Sequence, residues 1–350
     1  MRWQAVLALT VVLFLSACSD GASQPEFDGP VLFYARLDPD GNSWRLHATD
    51  GLADREIVHV RDSRLGGLVG SPVAAQVAII EYDVTAQLST LAIRDIEGRV
   101  HSRLEGPIVA ASGIGPLVAW SRNGEQIGFT HADGRNLSLR IADSETGELT
   151  TPDLLNDLRL QGPSWSVDDE LLAAVTGEEF ERLVVISLPD GEVSDLTEEP
   201  EGTKAMPVWS PDGAWVAYWA QPDNTGSSAQ GPLRESVWLV PSDGGAPRRL
   251  TNAAFLSPQA WSPDSTQLAT ACRDGSTVTD LCLVDIETGS IEIVVEGSPD
   301  AAILSPAFSP DGSQIAYVAG STLNVLDLGD GEITEVADGV MWLNFSWSAN

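Results

Sequence analysis

Residues 209–213 read Trp-Ser-Pro-Asp-Gly, and the same phrase returns, worn to different degrees, along much of the chain. Trp120-Ser121, Trp165-Ser166, Trp261-Ser262, Phe308-Ser309 and Trp347-Ser348 keep the aromatic–serine pair, and Gly70-Ser71-Pro72 is an eroded copy. Successive serines are 50, 45, 44, 52, 47 and 39 residues apart. The phrase has the chemistry of a turn. Proline presets φ at the first turn position, aspartate bonds back to nearby backbone, and glycine takes the strained position. The tryptophan brings a large apolar ring, which belongs where neighbouring repeats meet.

The register extends past the turn. Six residues after each serine an apolar residue opens a short β-rich segment: Val77, Ile127, Leu172, Val216, Leu268 and Ile315. A further strand follows each time, for example Leu91–Ile93, Val237–Val240 and Leu323–Leu326, and then an acidic glycine turn such as Asp190-Gly191 or Asp330-Gly331. A short last strand closes the unit. Four antiparallel strands in about 46 residues, joined by Gly-rich hairpins, make one blade of a β-propeller. The final copy ends the chain after one strand, at Trp347-Ser348. Residues 31–60 supply the missing three: Val31–Ala35, Trp44–Ala48 and Glu56–Val60, with Asp50-Gly51 at the acidic turn. The expected fold is therefore all-β. It is a seven-bladed propeller of four-stranded antiparallel blades, with N- and C-terminal strands sharing one blade. Such closure leaves no open sheet edge.

Complete at 209–213 and nearly so at 262–265 and 309–312, the phrase resembles the WD40-like (PD40) repeat of TolB-type propellers, over about residues 66–350. The Gly-His and Trp-Asp signatures of true WD40 repeats are absent. The resemblance implies a role in the cell envelope. The chain departs from that family in two ways. TolB-type proteins carry an α/β domain before the propeller, whereas here a tether precedes the first strand, and they are soluble periplasmic proteins.

The N-terminus has the pattern of an export signal. Arg2 is followed by an apolar stretch to Ala17, too short to span a bilayer. Leu15-Ser16-Ala17-Cys18 resembles a bacterial lipobox, which makes Cys18 the expected lipidated N-terminus of the mature chain. By the same resemblance, Ser19 is not the inner-membrane retention residue. Residues 1–17 are thus read as signal peptide, 18–30 as lipidated cysteine and flexible tether, and 31–350 as one propeller domain. The expected location is exported and membrane-anchored, on the periplasmic or cell-surface side.

The net charge of −32 repels phosphate backbones and anionic headgroups. It argues against nucleic acid as a ligand and leaves the lipid as the sole membrane contact. It suits a cationic partner or divalent ions, or simply solubility. Lys204 is the only lysine, a compositional bias. Cys272 and Cys282 lie in the second and third strands of one blade, where a bridge or two buried thiols are both open. No Gly-x-Ser-x-Gly, His-Glu-x-x-His or phosphate-loop motif is present. The four histidines, His47, His59, His101 and His131, occupy different blade positions, so no metal or catalytic centre is expected from them. Asp38-Pro39-Asp40-Gly41-Asn42 lacks the later glutamate of a calcium loop and reads as a turn.

One face of the ring should be strongly acidic, carrying Asp168, Asp169, Asp190, Asp212, Asp243, Asp264, Asp311 and Asp330. The opposite face carries the longest insertion, residues 221–232. Its Gln221, Asp223 and Asn224, with Arg234 beside it, are the candidate binding loop, or a flexible spacer. The functional expectation is a monomeric, non-enzymatic scaffold without cofactor, binding an envelope protein or polymer. The alternative is a carbohydrate-active or other hydrolytic or lyase propeller with acids at the channel mouth.

Overall fold

A computed structural model of the chain describes residue 27 and residues 29–39, 41–108, 118–133, 136–151, 160–177, 182–197, 202–222, 236–251, 259–273 and 278–349. Cys18, the tether up to Glu26, and Asp223, Asn224 and Arg234 of the candidate loop lie outside them.

The described strands form seven antiparallel sheets arranged as a ring. The composite blade 1 is ordered β27(Val340–Ser348), β1(Val31–Leu37), β2(Trp44–Thr49), β3(Asp54–Val60). Blade 2 is β4(Ser63–Gly70) to β7(Val100–Gly106), with β5(Gln76–Asp83) and β6(Leu88–Asp95) between. Blade 3 holds β8(Val118–Trp120), β9(Gln126–Asp133) and β10(Asn136–Asp143). Blade 4 is β11(Leu160–Trp165), β12(Leu171–Thr176), β13(Arg182–Ser187), β14(Val193–Thr197). Blade 5 is β15(Gly202–Trp209), β16(Trp215–Pro222), β17(Ser236–Pro241), β18(Arg248–Arg249). Blade 6 is β19(Ala260–Trp261), β20(Gln267–Cys272), β21(Asp280–Asp285), β22(Ile291–Val295). Blade 7 is β23(Ile303–Phe308), β24(Gln314–Ala319), β25(Thr322–Asp327), β26(Ile333–Asp338).

The seven blades and the shared first blade are as the repeat spacing predicts. Blade 3 differs from the four-stranded pattern. Among the described residues its last strand is a single bridge between Ala142 and Leu149. Backbone and side chain hold it together: Thr150 N donates to Ile141 O at 2.8 Å, and Thr151 Oγ1 accepts from Ile141 N at 2.7 Å and donates to Ile141 O at 3.2 Å.

The second and third strands of a blade are buried on both faces, because each sheet is sandwiched between two neighbours. Ile315 to Val318 are all 2 % exposed or less. Such strands read as continuous apolar runs rather than alternating ones. The last strand lies at the rim; Ile333, Thr334 and Glu335 of β26 are exposed. The core is accordingly a set of inter-blade seams. One seam joins Phe33, Trp44 and Leu46 of blade 1 to Leu68, Val77 and Ile79 of blade 2. Another joins Leu32 and Tyr34 to Ala316, Val318 and Leu323 of blade 7.

The repeated tryptophan bolts these seams together. Trp120 Nε1 donates to Val69 O at 3.0 Å, Trp165 to Ala119 O at 3.0 Å, Trp261 to Val208 O at 3.1 Å and Trp347 to Ala307 O at 3.1 Å. Each indole reaches the first strand of the preceding blade. In blades 3 to 7 the serine of the phrase accepts from the second strand, as Ser309 Oγ does from Gln314 N at 3.0 Å. The following glycine holds φ near +75° at Gly213 and Gly312.

Closure uses β27 against β1, antiparallel, pairing Val31 with Ser348 and Phe33 with Ser346. The C-terminal strand is also fastened forward to blade 2. Ser346 Oγ accepts from Gly70 N at 2.9 Å, Ala349 N donates to Ser71 O at 3.1 Å, and Ser348 Oγ contacts the Ser71 and Ala74 carbonyls. This explains the eroded repeat at 70–72. A Cβ on Gly70 would lie 2.0 Å from Trp347 O. Where other blades carry the aromatic, the ring-closing backbone itself fills the space.

Gly70→Ala therefore forces the closing strand away from blade 2. The expected cost is about 1–3 kcal/mol, measured by urea denaturation against wild type. Unchanged stability contradicts the close approach.

Candidate functional site

The first strands of the blades line the central channel, and in three of them a bulge precedes a proline. Gly162, Met206 and Ser305 adopt φ of 68°, 54° and 52°, each followed by proline, and the ladder slips there. A bulge re-aims the side chains that follow it. Two of these prolines, Pro163 and Pro207, line a cavity of about 320 Å³. The cavity runs along the channel to the face that carries the Ser-x-Asp turns. Blades 2 to 6 all contribute, among them Val69, Ala119, Trp165, Met206 and Val208.

The walls are mostly apolar; Ser164 Oγ accepts from Trp209 N at 3.0 Å, and three further residues add polar groups. Gln259 is 4 % exposed, and neither Oε1 nor Nε2 has a hydrogen-bond partner among the described residues. Trp209 Nε1 is the one indole of the phrase, among those described, that finds no carbonyl. Arg122, next to Ser121 on the turn, also lines the cavity. Its guanidinium makes no ion pair or side-chain hydrogen bond among the described residues. Burial pulls its pKa below the ordinary value, while Asp169 pulls the other way. Asp169 stands where Gly213 stands in blade 5. Its carboxylate accepts from Arg122 N at 2.5 Å and Asn123 N at 2.9 Å, across the blade seam.

Sequence reasoning missed Arg122 and Gln259, although both are departures visible in the repeat register. Two residues before the aromatic stand Pro163, Pro207 and Pro306 in blades 4, 5 and 7, and Gln259 in blade 6. After the serine stand Pro72, Pro211, Pro263 and Pro310, and Arg122 in blade 3.

The residues expected to matter lie elsewhere. Gln221 is exposed at the outer end of β16, paired with Thr203, and does not line the cavity. The acids of the turn face are engaged within their own turns. Ser166 Oγ donates to Asp168 at 2.5 Å, Ser262 to Asp264 at 2.6 Å and Ser309 to Asp311 at 2.6 Å. Among the described residues no Asp or Glu lines the cavity. Three histidines bond to aspartates of their own blades, His47 to Asp54, His59 to Asp38 and His101 to Asp95. Among the described residues no group of three His, Cys, Asp or Glu side chains is placed to hold a metal ion. Lys204 is fully buried on β15, with Nζ 3.5 Å from Gly202 O. Cys272 and Cys282 are diagonal neighbours across β20 and β21, opposite Asp280 and Thr270, with Cα atoms 6.0 Å apart. That separation is within disulfide reach, and we propose that they are bridged.

With the fold and cavity defined, the chain was compared with known proteins. No family model matches it, and no curated protein does. Solved structures do. TolB from Acinetobacter baumannii superimposes with a TM-score of 0.54 at 16% identity, covering 92% of this chain and 67% of that one. Oligogalacturonate lyase from Vibrio parahaemolyticus gives 0.59 at 15%, covering 89% and 86%. The nidogen/laminin complex gives 0.50 at 10%, covering 92% and 98%. At such identities the likeness is one of fold. The chain is a seven-bladed β-propeller structurally similar to TolB-type propellers.

The Ser–Asp turns make stability pH-dependent. In Asp168, Asp264 and Asp311 the serine hydroxyl is the largest influence, holding the carboxyl below its ordinary 3.8. A depressed folded pKa stabilises above the unfolded value and loses that contribution as pH falls through the folded one. The melting temperature should therefore fall in acid below about pH 4, and less steeply in Ser309→Ala. Equal acid slopes contradict the assignment. For the cysteines, trypsin cuts after Arg273, the last basic residue of the chain. The two flanking peptides should stay joined until reduction; separate peptides without reductant refute the bridge.

Proposed function

We propose that the chain is a lipid-anchored envelope protein that takes its ligand at the turn-face mouth of the central channel. The observation that carries this reading is the cavity between blades 2 and 6. Ligand sites are concave and mostly apolar, with a few placed polar groups, and this cavity has that composition. Anchoring through Cys18 would hold the mouth close to the membrane.

Two kinds of ligand compete. A protein-binding scaffold is supported by the fold likeness to TolB and by a net charge of −32 that would attract a cationic partner. A carbohydrate-active propeller is supported by the higher TM-score to oligogalacturonate lyase, 0.59 against 0.54. The aromatic and apolar walls also suit a sugar ring. The comparisons lean to carbohydrate. The described lining residues include no Asp or Glu, which supports binding over hydrolysis. We favour a carbohydrate ligand held without turnover.

The test is a binding screen of the purified mature protein against envelope polysaccharides and extracts, with product analysis in parallel. Ala119→Leu narrows the cavity, with its fold checked by circular dichroism. Binding of a glycan by wild type and its loss in Ala119→Leu is the expected result. A ligand bound equally well by Ala119→Leu refutes the channel site. Released sugar products would convert the reading from binding to catalysis.

A further inference from the structure

The polar groups of the cavity are of three kinds, and together they specify a ligand. Arg122 offers an unpaired guanidinium whose fork matches the two oxygens of a carboxylate. Trp209 Nε1 is a donor only, and Trp209 is 3 % exposed. Gln259 presents both an amide N–H and a carbonyl, buried and without partners among the described residues. Buried polar atoms left unpaired are costly and uncommon in native proteins. Others occur elsewhere in the chain, but those of Gln259 and Trp209 belong to residues that line one cavity. Gln259 stands where three blades carry proline, so an amide replaces an apolar side chain at a position that packs well without one.

Gln259 Nε2 and Trp209 Nε1 require ligand acceptors, and Gln259 Oε1 requires a ligand donor. A hydroxyl serves both needs, and a carboxylate serves Arg122. Charge narrows the choice further. A chain of net charge −32 repels anions over most of its surface. One guanidinium, already beside the Asp169 carboxylate, suits a single negative charge better than a doubly charged phosphate.

We propose that the channel cavity binds a hydroxylated monocarboxylic acid of sugar size, with Arg122 taking the carboxylate and Gln259 and Trp209 taking hydroxyl oxygens. This rests on the reading that the channel mouth is the ligand site, and it adds the chemistry of the ligand. The apolar walls, Val69, Ala119 and Val208 among them, would cover the carbon face of the molecule. Arg122 is a binding residue in this account, and no chemistry is assigned to it.

The experiment is titration of the folded mature protein with glucuronate, glucose and inorganic phosphate. It is followed by calorimetry and by the ¹⁵N–¹H signal of the Trp209 indole, assigned with Trp209→Phe. Saturable glucuronate binding that shifts the Trp209 signal is expected, with glucose weaker by roughly tenfold or more. Arg122→Gln should weaken glucuronate by a similar factor and erase its advantage over glucose. Gln259→Leu should weaken both sugars. Arg64→Gln, an exposed arginine outside the cavity, should change nothing. Glucose binding as tightly as glucuronate, with the Trp209 signal moving, overturns the acid assignment and leaves the channel site standing. Phosphate binding more tightly than glucuronate overturns the monocarboxylate assignment. No movement of Trp209 with any probe overturns the inference, and its separation from the channel-site reading comes from Ala119→Leu in the glycan screen.

Discussion

A blade of this protein has two apolar faces, and neither can be left in water. That constraint organises the molecule. A four-stranded sheet whose second and third strands are buried on both sides is unstable alone and needs a neighbour on each flank. Seven such sheets satisfy one another only as a closed ring. The first and last described strands share a blade, and that pairing closes the ring. The indole bolts add direction to what is otherwise non-specific burial. A tryptophan that donates to the preceding first strand at 3.0–3.1 Å sets how far one blade is offset from the next. The serine after it ties the same corner to the second strand, so each phrase is at once a turn and a joint.

The sequence made this frame legible because turn chemistry and large aromatics are strict in their demands. Trp-Ser-Pro-Asp-Gly cannot be placed in a strand centre, and its recurrence counts blades directly. The shared first blade was readable for the same reason, since 31–60 contain the strands that 340–350 lack. The missing aromatic at Gly70 was readable only as erosion. Its cause is three-dimensional: Trp347, distant in sequence, occupies the space. The reduced last strand of blade 3 was equally hidden, because the contact of Thr151 with Ile141 leaves no pattern in the sequence.

The site was far less legible. A repeat draws attention to what recurs, and the recurring residues here build joints. The acids that give the chain its charge looked like a ligand face. Several of them are instead held by serine hydroxyls and backbone amides of their own turns. The residues that line the channel with unpaired polarity, Arg122 and Gln259, are the ones that break the repeat. Both occupy positions where other blades carry proline. In a repeat protein the departures from consensus that gain polarity inside the ring carry more functional information than the consensus does. The buried Lys204 is a third such departure, on a strand that borders the same channel.

The central claim is that blades stand only by leaning on one another, with the closing strand as the last support. Hydrogen exchange on a chain lacking residues 345–350 tests it most directly. Removing them takes away the last four residues of β27, which pair with Val31 to Tyr34 of β1 and clamp Gly70. The account predicts that amides of β1, β2, β4 and β5 lose protection together, on both sides of the cut seam. Loss confined to β1, with β4 and β5 protected as in wild type, would contradict it.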